Sequence, residues 1–379
     1  MTTHKESAVS VFSKLIKIGN TEIGEGCPPF VIAEMSGNHN QSLQRALKIV
    51  DAAAACGVKG FKIQTYTADT MTLDCREDGF VISDETSPWQ GRSLHALYQE
   101  AYTPWDWHEA IFNRCRLHGM IPFSTPFDSS AVDFLESLGV DLYKIASFEN
   151  TDHHLIRKVA ATGKPVIIST GLANPSEIWE AVEVVRSTGN NKLILLKCTS
   201  AYPAPPELCN IKTISHMKEL FGVPVGLSDH TPGIGIAVAS VALNASVIEK
   251  HFTLSRKDGG VDSSFSLEPA EMKALAEESF RAFQGLGRVS YRLSPKEQKS
   301  LKFRRTLYLT RDIKKGEPFS RQNLGAIRPG DGLPVKYLDV FVGKTCKADV
   351  RKGTPLSWSF LQENPETRAN AAQDELHPG

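Results

Sequence analysis

A repeated unit runs from residue 30 to residue 287: a short apolar segment that ends in a polar residue, followed by a longer segment with apolar residues at helical spacing. Near-continuous apolar strands that alternate with helices predict a parallel sheet covered by helices. Eight such units are typical of a closed α/β fold, the (β/α)8 TIM barrel, with an open, doubly wound sheet as the alternative. The predicted strands are residues 30–34, 61–64, 122–125, 143–147, 165–170, 193–200, 224–229 and 247–252.

The polar residues that end these segments are the candidate site. In a TIM barrel the catalytic residues lie at the carboxyl ends of the strands. Glu34, Gln64 and Ser169 each end an otherwise apolar run, although a polar group without a partner is costly in a core. Two lysines among hydroxyl side chains, Lys62 and Lys144, suit a dianion such as a phosphate ester. The other strand-end candidates are Thr125, Ser147, Glu149, Ser200, Tyr202, Ser228, His230 and His251.

Two of these candidates, His230 and His251, end neighbouring strands and have the carboxylates Asp229, Glu249 and Asp262 near them in the sequence. Imidazole and carboxylate groups together can hold a hard or borderline divalent ion. Each candidate also has an ordinary structural interpretation: a serine or threonine can cap the next helix, and a histidine can be a satisfied interior residue. Because polar residues end all eight strands while the rest of the strands are apolar, the set as a whole favours a functional site.

Domain organisation follows from where this repeat stops. The repeat predicts a catalytic barrel over 1–288, a charged linker over 289–302 and a compact, mostly β module over 303–361. The polar last segment, 362–379, is predicted to be disordered. A long insertion after the second strand, 67–103, is predicted to be either a lid or a dimer contact.

Charge and composition exclude several classes of protein. Lysine plus arginine and aspartate plus glutamate are 43 each, which gives no field for nucleic acid or a membrane surface. The seven cysteines include no CxxC pair and the first residues lack a secretory h-region, so we expect reduced thiols and a cytoplasmic location. No Rossmann, Walker A, nucleophile-elbow or HExxH motif occurs.

Nine motifs carry a more specific signal: IAEMSGNHN, FKIQTYTAD, FSTPFD, YKIASFE, ISTG, KCTSAYP, GLSDHT, EKHFT and IRPGDG, in this order. Their order and spacing resemble the sialic acid synthase family over residues 16–361. The small module at 303–361 resembles the antifreeze-like (SAF) domain that those enzymes carry. The runs QTYTADTMTL and DSSFSLEP are most similar to the branch that uses 2,4-diacetamido-2,4,6-trideoxy-L-altrose. Ala146 and Ser200 depart from the N-acetylneuraminate branch, where glycine and asparagine are usual.

The resemblance implies a function for individual residues. The family condenses phosphoenolpyruvate with an amino-sugar aldehyde, with a divalent metal (manganese first, cobalt or magnesium as alternatives) held by His230 and His251. The residues that would hold phosphoenolpyruvate are Lys62, Thr125, Lys144, Ser147, Ser169 and Ser228. The residues that would face the sugar are Gln64, Glu149, Tyr202, Asp262 and Arg328. Arg328 would come from the partner subunit's SAF domain, which implies a domain-swapped homodimer.

The expected catalytic residues are Glu34, Lys144 and His251, with Glu34 stabilising the cation that forms at C2 of phosphoenolpyruvate. Phe148 and Phe265 are hypothesised to form an apolar wall for the 6-deoxy end of the sugar. Three alternatives stay open: a sister synthase for N-acetylneuraminic or legionaminic acid, a Schiff-base aldolase using Lys144 or Lys197, and a glycan- or ice-binding protein without catalysis.

Overall fold

The structure, a computed structural model, describes residues 11–85, 87 and 89–361. Its chain divides into two compact units between Gly287 and Arg288. The predicted disordered tail, 362–379, lies outside the described residues. The predicted linker, 289–302, falls in the second unit and contains a short helix, Pro295–Ser300.

The first unit is built around eight parallel strands that close into a barrel, which confirms the predicted (β/α)8 fold. A hairpin, β1 and β2, precedes them. Closure is made by pairing the last strand with the first, with His251 in register with Glu34. The strands are β1 Leu15–Ile18, β2 Thr21–Gly24, β3 Phe30–Glu34, β4 Gly60–Thr65, β5 Ile121–Pro126, β6 Tyr143–Ile145, β7 Val166–Ser169, β8 Leu193–Cys198, β9 Val225–Ser228 and β10 Val247–His251.

Helices connect the strands, and their ends follow the expected capping chemistry. Helix α7 begins after Asn174, whose side chain accepts from two backbone N–H groups while Glu177 bonds back to Asn174. Helix α5 begins after Asp128, whose carboxylate accepts from Ser130 and Ala131. The helices of this unit are α1 Leu43–Ala55, α2 Ala68–Met71, α3 Leu94–Ala101, α4 His108–Leu117, α5 Ser129–Ser137, α6 His153–Ala161, α7 Pro175–Ser187, α8 Thr213–Phe221, α9 Gly235–Val241 and α10 Pro269–Leu286.

Alternate residues of each strand enter two different cores, as the period of two requires. On β4, Phe61 and Ile63 pack with the helices in the outer core. On the other strands, Ile32, Phe123, Ile167 and related residues form a separate inner core inside the barrel. The β1–β2 hairpin, which the sequence analysis did not predict, contributes Ile16, Ile18 and Ile23 to this inner core.

The insertion after β4, residues 67–103, contains α2 and α3, together with a hairpin-like loop over 80–94. Leu94 N–H donates to Phe80 O at 2.8 Å and Ile82 N–H donates to Arg92 O at 2.9 Å, which closes the base of this loop. Among the described residues, no helix combines the length and apolarity needed to cross a membrane.

The second unit is small and has its own apolar core, which includes Leu307, Phe319 and Phe341. Strands β11 Thr306–Leu309 and β12 Leu324–Ile327 pair antiparallel, and several isolated bridges extend the β structure. Its helices are α11 Pro295–Ser300 and α12 Leu338–Phe341. The predicted small, mostly β module is confirmed.

Candidate active site

The inward-facing side chains change from apolar to polar at the carboxyl ends of the strands. Ile32 lies in the inner core, and Glu34 is the next inward residue of the same strand. Phe123 is followed in the same way by Thr125, and Ile167 by Ser169. Because the residues two positions apart share a face, the strand ends form one buried polar layer above the inner core.

At the centre of this layer two lysines and two glutamates form a buried quartet: Glu34, Lys62, Lys144 and Glu249. Lys62 Nζ lies 3.0 Å from Glu34 Oε2 and 3.7 Å from Glu249 Oε1, and Lys144 Nζ lies 3.5 Å from the same Glu249 oxygen. Lys62 also donates to Thr125 Oγ1 at 3.3 Å. The quartet is charge-balanced, so an arriving dianion would meet two fixed ammonium groups that are already partnered.

Burial and neighbouring charge shift the proton affinities of the quartet in different directions. Burial raises the pKa of Glu34, with Lys62 opposing the change. Burial alone would raise the pKa of Glu249 too, but Lys144 and Lys62 hold it below its usual value. Burial lowers the pKa of Lys144, and Glu249 partly offsets this. Glu249, which was not predicted as a substrate-contacting residue, is thus the carboxylate shared by both lysines.

Hydroxyl groups lie at the carboxyl ends of the same set of strands. Ser228 Oγ donates to Glu249 Oε1 at 3.2 Å, and Ser147 Oγ accepts from Gly171 N–H at 3.1 Å. Ser169 Oγ is buried without a hydrogen-bond partner within the described part of the chain. A Cβ added at Gly171 would lie 2.2 Å from Ser200 Oγ and 2.6 Å from Ser147 Oγ, so glycine in the ISTG motif leaves room for these two side chains. A buried hydroxyl without a protein partner is free to form a hydrogen bond with a polar ligand.

Two histidines lie at the edge of the same layer, His230 after β9 and His251 at the end of β10. Their ring centroids are 5.4 Å apart. His230 Nδ1 bonds to Thr199 O at 3.0 Å, which leaves its Nε2 as the available ligand atom. His251 Nδ1 is buried with no partner among the described residues, and burial holds the pKa of His251 well below its usual value. Two neighbouring imidazoles are of a ligand type that suits a divalent ion. No cluster of three or more His, Cys, Asp or Glu that could hold a metal occurs in the described ranges.

The carboxylate Asp229, beside His230 in the sequence, does not join the histidines. Its Oδ2 lies 2.9 Å from Lys250 Nζ, and its Oδ1 accepts from Thr231 N–H at 2.9 Å. Lys250 also donates to Thr231 O and Gly233 O, at 2.5 and 2.9 Å. This buried pair fixes the loop that carries His230, so its role is structural.

A second polar chain leads from the quartet toward the predicted sugar residues. Gln64 Nε2 donates to Glu34 Oε1 and to Ser36 Oγ, both at 3.0 Å. Ser36 Oγ in turn donates to Asp262 Oδ2. Ser36, in the IAEMSGNHN motif, was missed because it follows the end of β3 and has a positive φ of 47°. The structure therefore connects Glu34, Gln64 and Asp262 through a residue that no strand-end pattern would select.

The remaining predicted residues lie as follows. Glu149 ends a short 3-10 turn after β6, and burial raises its pKa to about 7, with Lys144 opposing. The ring of Tyr202 lies with its centroid 4.3 Å from that of His230. Phe265 is buried with its ring 5.0 Å from His251, whereas Phe148 is 62% exposed. Arg328 follows β12 in the second unit.

The closed barrel and the buried polar layer at the carboxyl ends of its strands define the protein as a (β/α)8-barrel enzyme. Residues 49–291 match the NeuB family, and residues 304–362 match the SAF domain. The chain therefore belongs to the NeuB family.

Several relatives match most of the chain. It is 42% identical to the pseudaminic acid synthase of Campylobacter jejuni (strain 81-176) over 330 residues, which are 87% of this chain and 96% of the relative. It is 40% identical to the pseudaminic acid synthase of Helicobacter pylori, with 89% of this chain and 99% of the relative covered. Among solved structures, an N-acetylneuraminic acid synthetase from Leptospira borgpetersenii in complex with citrate superposes with a TM-score of 0.68. That protein is 31% identical, with 77% of this chain and 97% of that chain covered.

Proposed function

We propose that the protein condenses phosphoenolpyruvate with 2,4-diacetamido-2,4,6-trideoxy-L-altrose, releases phosphate and forms pseudaminic acid. The observation that carries this proposal is the buried lysine–glutamate quartet at the strand ends, Glu34, Lys62, Lys144 and Glu249. The buried, unpartnered hydroxyl of Ser169 ends another strand of the same barrel. Identity of about 40% to two pseudaminic acid synthases supports the choice of sugar.

In this reaction the phosphate of phosphoenolpyruvate would be held by Lys62 and Lys144, with hydroxyls from Thr125, Ser147, Ser169 and Ser228. Fixed ammonium groups suit a dianion, and the hydroxyls complete its hydrogen bonds. Binding of the phosphate requires the lysines to exchange part of their contact with Glu34 and Glu249. The enol carbon is thereby held for attack on the sugar aldehyde.

The aldehyde carbon forms the new carbon–carbon bond, and C2 of the former phosphoenolpyruvate becomes an oxocarbenium ion. Glu34 would stabilise this cation and orient the water that attacks C2. The resulting tetrahedral centre collapses by breaking the bond from C2 to the phosphate oxygen, which releases phosphate. Gln64, held between Glu34 and Ser36, would keep the carboxylate in position.

His230 and His251 would hold a divalent metal, for which we propose manganese before cobalt or magnesium. When bound, the metal would act as a Lewis acid on the sugar aldehyde. The unpartnered buried Nδ1 of His251 supports this assignment. Glu149, Tyr202 and Asp262 would contact the sugar.

We further propose a cytoplasmic, domain-swapped homodimer in which Arg328 completes the partner's site. Complementation tests this: Arg328→Ala and Glu34→Gln subunits, each strongly impaired alone, should regain activity when mixed and reassembled, because one hybrid site then has both residues. Mixed subunits that remain inactive while forming dimers would contradict the swap.

The function itself is tested by phosphate release from phosphoenolpyruvate with manganese and three sugars in parallel: the 6-deoxy diacetamido altrose, the legionaminic acid precursor and N-acetylmannosamine. We expect the first sugar to be turned over with a kcat/KM far above those of the other two, and EDTA to abolish this turnover. A higher kcat/KM for another sugar would move the assignment to a sister synthase. Trapping of a substrate by borohydride on Lys144 or Lys197 would favour a Schiff-base aldolase instead.

A further inference from the structure

An aromatic side chain of the insertion after β4, that of Trp89, lies at the edge of the candidate site. Trp89 lies on the 80–94 loop, whose base is closed by backbone hydrogen bonds. Its indole N–H donates to Val261 O at 2.9 Å, and Val261 directly precedes Asp262. The loop is thus joined to the segment that carries one of the predicted sugar residues.

The ring of Trp89 extends an aromatic cluster that reaches the histidine pair. Its centroid lies 6.0 Å from that of Tyr202 and 6.4 Å from that of Phe265. Tyr202 and Phe265 are 5.3 Å apart, and Phe265 lies 5.0 Å from His251. A continuous aromatic surface therefore runs from the insertion to the point where the metal and the aldehyde would meet.

This cluster is separate from the apolar core of the barrel. Trp89, Tyr202 and Phe265 belong neither to the outer core nor to the inner core of the described barrel. Trp89 and Tyr202 keep part of their surface exposed even though the indole N–H is satisfied. Aromatic rings that are held in place but not packed into a core offer a surface for a ligand that has both apolar and polar parts.

We infer that Trp89 is a specificity-determining residue, which packs against the apolar groups of the amino-sugar substrate. The inference rests on the proposed function. A sugar with a 6-methyl group and two acetamido methyls has more apolar surface than a fully hydroxylated sugar. Removing the indole should therefore weaken binding of the 6-deoxy diacetamido sugar more than binding of N-acetylmannosamine, and should leave phosphoenolpyruvate binding unchanged.

The test compares Trp89→Ala and Trp89→Phe with a matched control, Trp179→Ala. Trp179 lies on the outer helix α7 and is 45% exposed. For each variant, KM and kcat are measured with the diacetamido sugar, N-acetylmannosamine and phosphoenolpyruvate, and thermal unfolding is recorded. We expect kcat/KM for the diacetamido sugar to fall by about 10- to 100-fold in Trp89→Ala, mainly through KM, and to be largely recovered in Trp89→Phe.

Three outcomes would overturn the inference. An unchanged KM for the diacetamido sugar in Trp89→Ala would show that Trp89 does not contact this sugar. The proposed function would then still stand. An equal rise in KM for phosphoenolpyruvate and both sugars, together with a lowered unfolding temperature, would show that Trp89 has a purely structural role. A parent protein that is inactive with every sugar would overturn the proposed function itself, and this inference with it.

Discussion

The ammonium nitrogen of Lys62 lies 3.0 Å from Oε2 of Glu34, and both side chains are buried at the ends of neighbouring barrel strands. A buried pair of this kind is costly to form and contributes little net stability, so its position at the mouth of a barrel indicates function. The pair also links the two halves of the proposed reaction, because Lys62 would hold the phosphate and Glu34 the developing cation.

Glu34→Gln tests the second of these roles. The amide keeps the shape and one hydrogen-bond acceptor but removes the negative charge, so we expect kcat to fall by about 100- to 1000-fold. KM for phosphoenolpyruvate should change little, because Lys62 and Lys144 remain. If the variant kept the parental kcat, Glu34 would have no role in the chemical reaction.

Glu149→Gln should change the pH dependence of stability. Burial raises the pKa of Glu149 to about 7 in the folded protein from 4.5. Between these two values the folded state binds more protons than the unfolded state, so this group's contribution to stability falls as pH rises. The variant should therefore be more stable than the parent above pH 7, by up to about 3 kcal/mol, and nearly equal to it well below the unfolded pKa.

Thermal or urea unfolding of the parent and of Glu149→Gln, in buffers below and above the folded-state pKa of about 7, measures this difference. The parent should lose stability relative to the variant as pH rises. A stability difference that is constant with pH would show that Glu149 does not titrate in this way.

Lys250→Met should destabilise the barrel. The substitution leaves Asp229 as an uncompensated buried charge and removes the donor to Thr231 O and Gly233 O, so we expect a loss of about 3–5 kcal/mol in the free energy of unfolding. The matched control, Lys158→Met, breaks an exposed pair with Asp133 and should cost less than about 1 kcal/mol. Adding Asp229→Asn to Lys250→Met should recover part of the loss.

His251→Ala should weaken manganese binding in the absence of substrates. Its neighbour His230 would be the one protein ligand left of the proposed pair, so we expect no saturable binding by isothermal titration calorimetry. His216→Ala, an exposed histidine on α8, is the control and should bind manganese like the parent. Undiminished binding by His251→Ala would place the metal elsewhere.

Phe265→Ser should reduce the preference for the 6-deoxy sugar over N-acetylmannosamine by about 10-fold, because the hydroxyl replaces apolar surface beside His251. Since Phe265 is buried, Phe265→Leu serves as a second variant that keeps an apolar side chain and should keep the preference. Phe280→Ser, on the outer helix α10, controls for the loss of an exposed ring. The measurement is the ratio of kcat/KM for the two sugars. An unchanged ratio in Phe265→Ser would contradict the hypothesis that Phe265 forms an apolar wall for the 6-deoxy end of the sugar.

Much of the fold could be predicted because strand and helix periods are local properties of a sequence. The predicted strand bounds differ from the observed ones mainly at their carboxyl ends. Residues 143–147, for example, were predicted as one strand, but β6 stops at Ile145 and Ser147 begins a 3-10 turn. The polar residues at the strand ends lie outside the hydrogen-bonded strand pairs because they belong to the loops that form the site.

The β1–β2 hairpin was not predicted because its two strands have four residues each and follow no repeat. Its isoleucines are buried only because the barrel has an open amino-terminal end with apolar side chains inside it. Burial of this kind depends on the complete barrel and leaves no periodic signal in the hairpin's own sequence.

The sequence by itself determined the barrel, the second module and the set of polar side chains at the strand ends, because alternation along a strand assigns each residue to the inside or the outside. Only the tertiary structure decided how those side chains pair. Glu249 forms ion pairs with both Lys62 and Lys144, whereas Asp229 forms an ion pair with Lys250. The ring of Trp89, in the insertion after β4, contacts that of Tyr202. The physical reason is that these contacts join residues far apart in the chain, so their distances are set by closure of the barrel and by loop paths rather than by local periodicity.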